Sequence, residues 1–277
     1  MDRSVTIPHY RARLGSKALK SMRSDKRTRR FVRCVAAAGF AVAVTAAPVL
    51  ADSADQVPES NAPYYDPFEP VNRGIFVFNQ AIDEMFLKPV ARIYIAAVPE
   101  GGRAAITNFI NNLKSPVTLA NDLLQGDLDR AQTTIARFTV NTIVGFGGIA
   151  DVAADLGTPG HSEDFGQTAA TYGVGSGPYL MLPFLGPSNV RDALGRVVDT
   201  FLDPLDYTLD RSESLARAGA EGVDQRARFL DVSEALEKTS IDYYASIRSV
   251  FTQNRAYEIR NGEPEPIVDI YGEGSTQ

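Results

Sequence analysis

Apolar positions between Asp66 and Phe86 recur near helical spacing. Phe68, Ile75, Phe78, Ile82, Met85 and Phe86 fall along one stripe, which Phe76 and Val77 widen past an ordinary core face. A stripe this wide suits a helix with lipid or protein on most sides; an ordinary core helix is the plainer alternative. Asp66-Pro67 and Glu69-Pro70 stop any incoming structure, and Pro89 ends or kinks the helix. After Pro99 a second face is formed by Ala105, Ile106, Phe109, Ile110 and Leu113. Ser115-Pro116 reads as a cap and first residue of a further helix, with Val117, Leu119, Ala120, Leu123 and Leu124, stopping at Gly126. Asp127 caps the next, which carries Ile135, Phe138 and Ile143.

That helix runs into the apolar stretch Ile143–Ala150, where Gly145, Gly147 and Gly148 make three glycines in four residues. Glycine at this density disfavours helix, and the apolar neighbours disfavour a simple exposed loop. The pattern predicts a buried or membrane-dipped hairpin tip with Phe146 in it. Further on, Ser162 reads as the cap of a short helix near Glu163–Tyr172. Tyr179–Pro187 is apolar but broken by prolines and too short to span a bilayer. Ser188 reads as the cap of a helix ending near Asp203-Pro204. Asp210 with Glu213, and Asp231 with Glu234, resemble capping boxes, dividing 210–260 into two long helices that Gly262 and Pro264 end. No β-hairpin signal is evident, so the expected fold class is all-α.

The N-terminus changes the picture of where the protein works. Residues 1–33 are basic, and an apolar run VAAAGFAVAVTAAPVLA follows, closing at Val49-Leu50-Ala51. A positive segment, an apolar segment and a small-residue site read as a secretory signal over 1–51, cleaved between Ala51 and Asp52. Met22 is an alternative start, and a retained anchor is the competing reading. Residues 52–65 read as a linker, 66–262 as the folded domain and 263–277 as a disordered tail. The chain has 28 basic and 34 acidic residues; 11 of the basic and 2 of the acidic lie in 1–51, leaving 17 against 32, a net charge of −15. So acidic a chain is a poor binder of nucleic acid, and membrane contact must come from apolar burial rather than charge.

Candidate chemistry is sparse. Cys34, the single cysteine, lies inside the signal after Phe31-Val32-Arg33, unlike a lipidation site, so the exported part has no thiolate or disulfide. Its one histidine is His161, too few for a common metal site. Ser176 has Val174 where a nucleophile elbow needs glycine. Gly173, Gly175 and Gly177 have neither the strand nor the lysine of a phosphate loop. No catalytic or metal residues are assigned, no cofactor is called for, and the expectation is a non-enzyme.

Several blocks resemble the VacJ/MlaA family of Gram-negative outer-membrane proteins: Asp66-Pro-Phe-Glu-Pro-Val-Asn72-Arg73 with Phe78-Asn79; Asn108-Phe-Ile-Asn-Asn-Leu113; Asn121-Asp-Leu-Leu-Gln-Gly-Asp127; Arg137–Asp151; Glu163-Asp-Phe-Gly166; Tyr172–Gly175; and Gly177-Pro-Tyr179. They run in order from about 66 to 210. The resemblance implies a ring-like bundle of interfacial amphipathic helices with a glycine-containing apolar hairpin and two C-terminal helices. It implies a conduit taking phospholipid from the outer leaflet of the outer membrane to a soluble periplasmic lipid carrier, beside an outer-membrane porin, with the protein in the periplasmic leaflet. Many members carry an acylated cysteine at the mature N-terminus. This chain has none at Ala51-Asp52, so a non-lipidated member is expected.

Ile75, Phe78, Ile82 and Phe86 are then the expected membrane-facing residues. Asn72, Asn79 and Asn141, with Gly145, Phe146, Gly147 and Gly148, are the candidate channel or hairpin residues; Asn108 and Thr142 are similarly embedded. The alternative for the asparagines is capping or bonding of neighbouring backbone. Two other functions compete: a porin-associated structural or surface virulence factor without lipid flux, and an exported lipid hydrolase.

Overall fold

The computed structural model describes residues 65–264. The signal and its Ala51–Asp52 site, the linker up to residue 64 and the tail from 265 lie outside the described residues. The stripe-bearing segment forms α1 (Glu69–Ile82), then a π-helical turn over Asp83–Leu87, then α2 (Lys88–Ala97). Pro89, in the first turn of α2, has no N–H to give, and the wider π turn absorbs the misfit before it.

α3 (Glu100–Gln125) and α4 (Leu128–Ile143) pack along each other. The expected break at Ser115-Pro116 is absent, and Pro116 sits inside α3. One missing backbone bond is a local loss, and the turns on both sides keep theirs. Gly126 ends α3 in the left-handed conformation at φ 77°, and the Asp127 side chain caps α4 by accepting from the Arg130 N–H.

Short helices α5 (Val152–Asp155) and α6 (Phe165–Thr171) precede two strands that the sequence does not signal, β1 (Tyr179–Leu182) and β2 (Gly186–Asn189). They are antiparallel, with Tyr179 opposite Asn189 and Leu182 opposite Gly186. In the connection Pro183-Phe184-Leu185, Phe184 takes a positive φ of 63°, and Gly186, which opens β2, follows at a positive φ of 78°. α7 (Val190–Leu202) and a 3₁₀ turn (Pro204–Tyr207) lead to α8 (Arg211–Arg228), α9 (Leu230–Thr239) and α10 (Tyr243–Ile259).

Three more expectations are corrected. Asp164, not Ser162, caps α6, and Asn189, not Ser188, caps α7; in each case the carbonyl-bearing side chain reaches the third N–H of the helix. Ser188 belongs to β2. The Asp210–Glu213 capping box of α8 is present, but α9 has no side-chain cap and Asp231 lies within its first turn. The C-terminal region therefore has three helices rather than two, because Asp242 interrupts at extended backbone and caps α10 through the Ala245 N–H. The Arg73 guanidinium, bonded to both Asp242 oxygens, holds that carboxyl down at about 2.

The apolar core is small. Tyr179, Met181 and Tyr244 form it, with Ile75, Phe76 and Phe251 packed against them, joining α1, β1 and α10. Rings meet edge-on, Phe76 to Tyr244 at 5.6 Å and Tyr179 to Phe251 at 6.0 Å between centroids. Asp66 ties α1 to α10: its carboxylate accepts from Asn72 Nδ2 at 2.8 Å, Tyr244 Oη at 2.5 Å and Arg248 at 2.7 Å.

The buried Asn72 amide also replaces a missing neighbour strand, donating to the Tyr179 carbonyl at 3.0 Å and accepting from the Met181 N–H at 2.9 Å. Two turns along α1, Asn79 does the same for the Leu182 carbonyl and the Phe184 N–H, both at 2.9 Å. Asn72→Ala strands a buried strand carbonyl and N–H, so a loss of about 1–3 kcal/mol is expected in denaturant melts. A midpoint within error of wild type would show that water replaces the amide.

Candidate membrane surface and lipid-handling site

The distribution of side chains runs opposite to that of a water-soluble domain. Among the described residues, the fully buried side chains include Asn121, Asp122 and Ser188, and charged or amide groups make up most of the buried set. The exterior carries large apolar side chains, often at helical spacing. On α7, Val190, Leu194, Val197 and Phe201 form an exposed row. On α4, Leu128, Ile135 and Phe138 do so; Met85, Phe86, Val90 and Ile93 continue the pattern across the π turn into α2. Exposed apolar surface on this scale is a contact surface for lipid or protein. Among the described residues no helix is long and apolar enough to cross a membrane.

The expected membrane-facing residues divide. Phe78 and Phe86 are exposed, and Ile82 is half-buried. Ile75 is also half-buried and lies against the aromatic cluster. Phe78 meets the strand connection, its ring edge-on to Phe184 at 5.3 Å. Phe184 and Leu185 are themselves exposed, so the strand pair ends in an apolar tip.

The glycine segment forms a second apolar tip on a polar base. Phe146 is 82% exposed, with Ile143, Val144 and Ile149 exposed around it. Beneath, Asn112 Nδ2 donates to Thr142 Oγ1 at 3.0 Å and to the Gly147 carbonyl at 3.3 Å, and Asn108 reaches the Ile149 carbonyl. Asn141 donates to Asp151 at 2.9 Å and accepts from the Ala153 N–H. Arg137 grips both Asp151 oxygens and also donates to the Thr158 carbonyl. Burial pushes the Asp151 carboxyl up, but bonds from Arg137 and Asn141 outweigh it and hold the group below its ordinary value. Of the candidate channel residues, Asn72, Asn79 and Asn141 thus have their amides bonded to the protein itself.

Gly145 is buried where a Cβ would lie 2.2 Å from the Ala150 carbonyl. Gly147 and Gly148 differ in a way the sequence does not show. Both have positive φ, but a Cβ on Gly147 would meet open space, whereas one on Gly148 would lie 2.4 Å from the Asn112 Cβ. Gly147→Ala should fold with a loss of about 1–2 kcal/mol from backbone strain alone. Gly148→Ala should lose distinctly more, and thermal melts of the two single variants compare them; equal losses would place Asn112 elsewhere.

A buried polar seam joins these parts. Asp122 accepts from Thr134 Oγ1 at 2.6 Å and lies 3.0 Å from His161 Nε2. Gln125 donates to Glu163 at 2.9 Å, and burial raises that carboxyl above its usual value. Asn121 bonds Thr168 and Asp199. The seam ends at Arg255, which holds Asp164, Asp192 and Glu258 together. α6 and α7 cross so closely that a Cβ on Gly195 would lie 2.6 Å from the Gly166 nitrogen. The sequence reading gives Asp66, Asp122 and Arg255 no such roles; their partners lie far away in the chain. Among the described residues no group of three or more His, Cys, Asp and Glu side chains is placed to hold a metal.

An all-α protein with a polar interior, an apolar exterior and two apolar tips has the kind of surface that interfacial helical proteins present to lipid or to a lipid-embedded partner. The chain belongs to the MlaA lipoprotein family, whose model matches residues 64–258. It is 36% identical over 206 residues to the Intermembrane phospholipid transport system lipoprotein MlaA of Escherichia coli strain K12, covering 73% of this chain and 81% of that protein. The protein of that name from Haemophilus influenzae is 32% identical over 213 residues, covering 75% and 83%. An uncharacterized protein of Rickettsia bellii is 36% identical over 197 residues, covering 71% and 77%. A solved structure from work on the structural basis for maintenance of bacterial outer membrane lipid asymmetry superposes with a TM-score of 0.63 at 36% identity, covering 70% of this chain and 98% of that one.

Proposed function

We propose that this protein is a passive phospholipid conduit of the outer membrane. It removes phospholipid from the outer leaflet through a passage within a ring of its helices and passes it to a soluble periplasmic carrier. The observation that carries this reading is the inverted side-chain distribution: charged and amide groups inside, large apolar groups outside. Such a body is stable half-sunk in one leaflet and offers a polar path where the bilayer offers none. The names of the E. coli and Haemophilus relatives and the subject of the matching structure support the same reading.

Phe78, Ile82 and Phe86 face acyl chains or a porin, and the tips at Phe146 and Phe184 enter the leaflet. The glycine turn lets the chain flex beside the passage. Attachment follows from these surfaces without an acyl anchor, export uses the signal cleaved at Ala51–Asp52, and no catalysis takes place.

Photo-crosslinkers at Phe78, Phe86, Phe146 and Phe184 test the arrangement in cells. Phospholipid adducts at the tips, with loss of lipid asymmetry on deletion of the gene, are expected. Capture of porin alone at every position, with undisturbed asymmetry, would make it a porin-associated factor. Lyso-products formed by the purified protein would make it a hydrolase.

A further inference from the structure

A pocket of about 310 Å³ lies where α6, α7, α8 and α10 meet the strand pair. That is the lower end of the volume range of small-ligand sites, roughly 300–1,000 Å³. Its charge is arranged in two parts. Arg255, 8% exposed, is shared by three carboxylates: Asp164 at 2.6 Å, Asp192 at 2.8 Å and Glu258 at 3.0 Å. Arg191 also bonds Asp192, at 3.0 Å, so two guanidiniums face three acids and this part keeps one negative charge. It is most accessible at the partly exposed Glu258, whose Oε1 accepts from Asn254 at 2.7 Å and keeps a free lone pair. Arg196, one helical turn beyond Asp192 on α7, also lines the pocket, and among the described residues its guanidinium pairs with no carboxylate. Apolar lining comes from Phe251 and from Leu185 at the exposed strand tip, next to the Phe184–Phe78 pair.

We propose that this pocket binds a phosphoethanolamine diester, with Arg196 on the phosphate and Glu258 accepting from the ammonium. Arginine gives a planar fork to phosphate oxygens. A primary ammonium brings charge and three N–H donors to a carboxylate-rich wall, whereas a glycerol headgroup brings only hydroxyls and a choline brings charge without an N–H. The chemistry is that of an ethanolamine phospholipid headgroup or of its free glycerophosphodiester. Leu185 on the lip favours the lipid, whose tails would leave across the apolar tip. The assignment rests on the conduit reading and adds headgroup preference to it.

The test uses the full exported chain in detergent. Calorimetric titration with glycerophosphoethanolamine, glycerophosphoglycerol and glycerophosphocholine reads the site directly. The ethanolamine diester should bind saturably and about tenfold more tightly than the others, the scale of one charge-assisted hydrogen bond. Arg196→Gln should weaken it by a similar factor, Arg196→Lys should restore part, and Glu258→Gln should erase the preference. Arg196 is exposed, so its variants test the site even if Glu258→Gln lowers the melting temperature. Equal binding of all three diesters, or no effect of Arg196→Gln, overturns the proposal. Mass spectrometry of co-purified lipid separates the sources: enrichment in ethanolamine lipid that falls in Glu258→Gln supports the lipid headgroup. Unchanged lipid composition with selective diester binding overturns the lipid assignment in favour of the free diester. Absence of any bound phospholipid strikes the conduit reading, while the titration still decides the pocket.

Discussion

Replacing Phe146 and Phe184 together by Asp should release the protein from membranes while leaving it folded. Both rings are exposed, 82% and 71%, and both residues have positive φ, 54° and 63°. Bulky residues avoid that region, at a cost of about 1–2 kcal/mol each, whereas Asp tolerates it better. The backbone should therefore accept the change. Phe184 gives up its edge contact with Phe78, worth about 1 kcal/mol. On the conduit reading the change removes lipid contact, about 2–3 kcal/mol per phenylalanine, and adds a charge that lipid rejects. Fractionation of cells should move the double variant from the membrane pellet to the soluble fraction, with unchanged circular dichroism. Wild-type fractionation of a folded double variant would show that the tips do not hold the protein.

Arg255→Met should be the most damaging single change among those considered. It leaves Asp192, buried to 5% exposure, without the guanidinium that reaches it from α10, and removes the bond between α10 and the α6 cap Asp164. Breaking a buried pair this way costs about 3–5 kcal/mol, and the bond that Arg191 keeps to Asp192 at 3.0 Å sets the expectation at the lower end. The pH dependence gives a second signature. Burial pushes the Asp164 carboxyl up, but Arg255 overcomes this and holds it below its ordinary value. A carboxylate depressed in the folded state stabilises it above the unfolded pKa, and that contribution disappears as pH falls through the folded value. Wild type should thus lose stability on acidification. In Arg255→Met the deficit relative to wild type should shrink as pH falls, because protonation neutralises the abandoned carboxylates. A deficit constant from neutral pH down to 4 would argue that Arg255 acts by packing alone.

The helices were legible where local chemistry decides them. Gly126 and Asp127 mark a boundary through their own backbone and side chain, and the Asp210–Glu213 box is local too. Pro116 misled because a proline forbids one bond, not a helix whose flanking turns are held by tertiary packing. The strand pair was illegible for the opposite reason. Its edge bonds come from Asn72 and Asn79, more than 100 residues away, and its turn conformation falls on a phenylalanine.

The apolar stripe around Phe78 was visible, but not which of its members face inward: Ile75 and Phe78 share a helix and part company only because Tyr179 and Tyr244 occupy one side. The polar residues of the motifs were visible as residues, not as a seam. Asp122 and His161, or Asp66 and Arg248, meet only after folding.

A body with its charges inside and its phenylalanines outside has an unusual life in water. Removing it from lipid uncovers little that was dry within, so its unfolding in a detergent-free buffer should show a small heat-capacity change for its length. Self-association through the bare exterior, rather than loss of fold, should set its lifetime there. The acidic balance of residues 52–277 keeps copies apart by repulsion, and salt weakens that protection. If the proposed membrane placement holds, any aqueous passage from the site of synthesis to a bilayer is a hazard for this chain, best met by an escort that covers the same surface lipid would take.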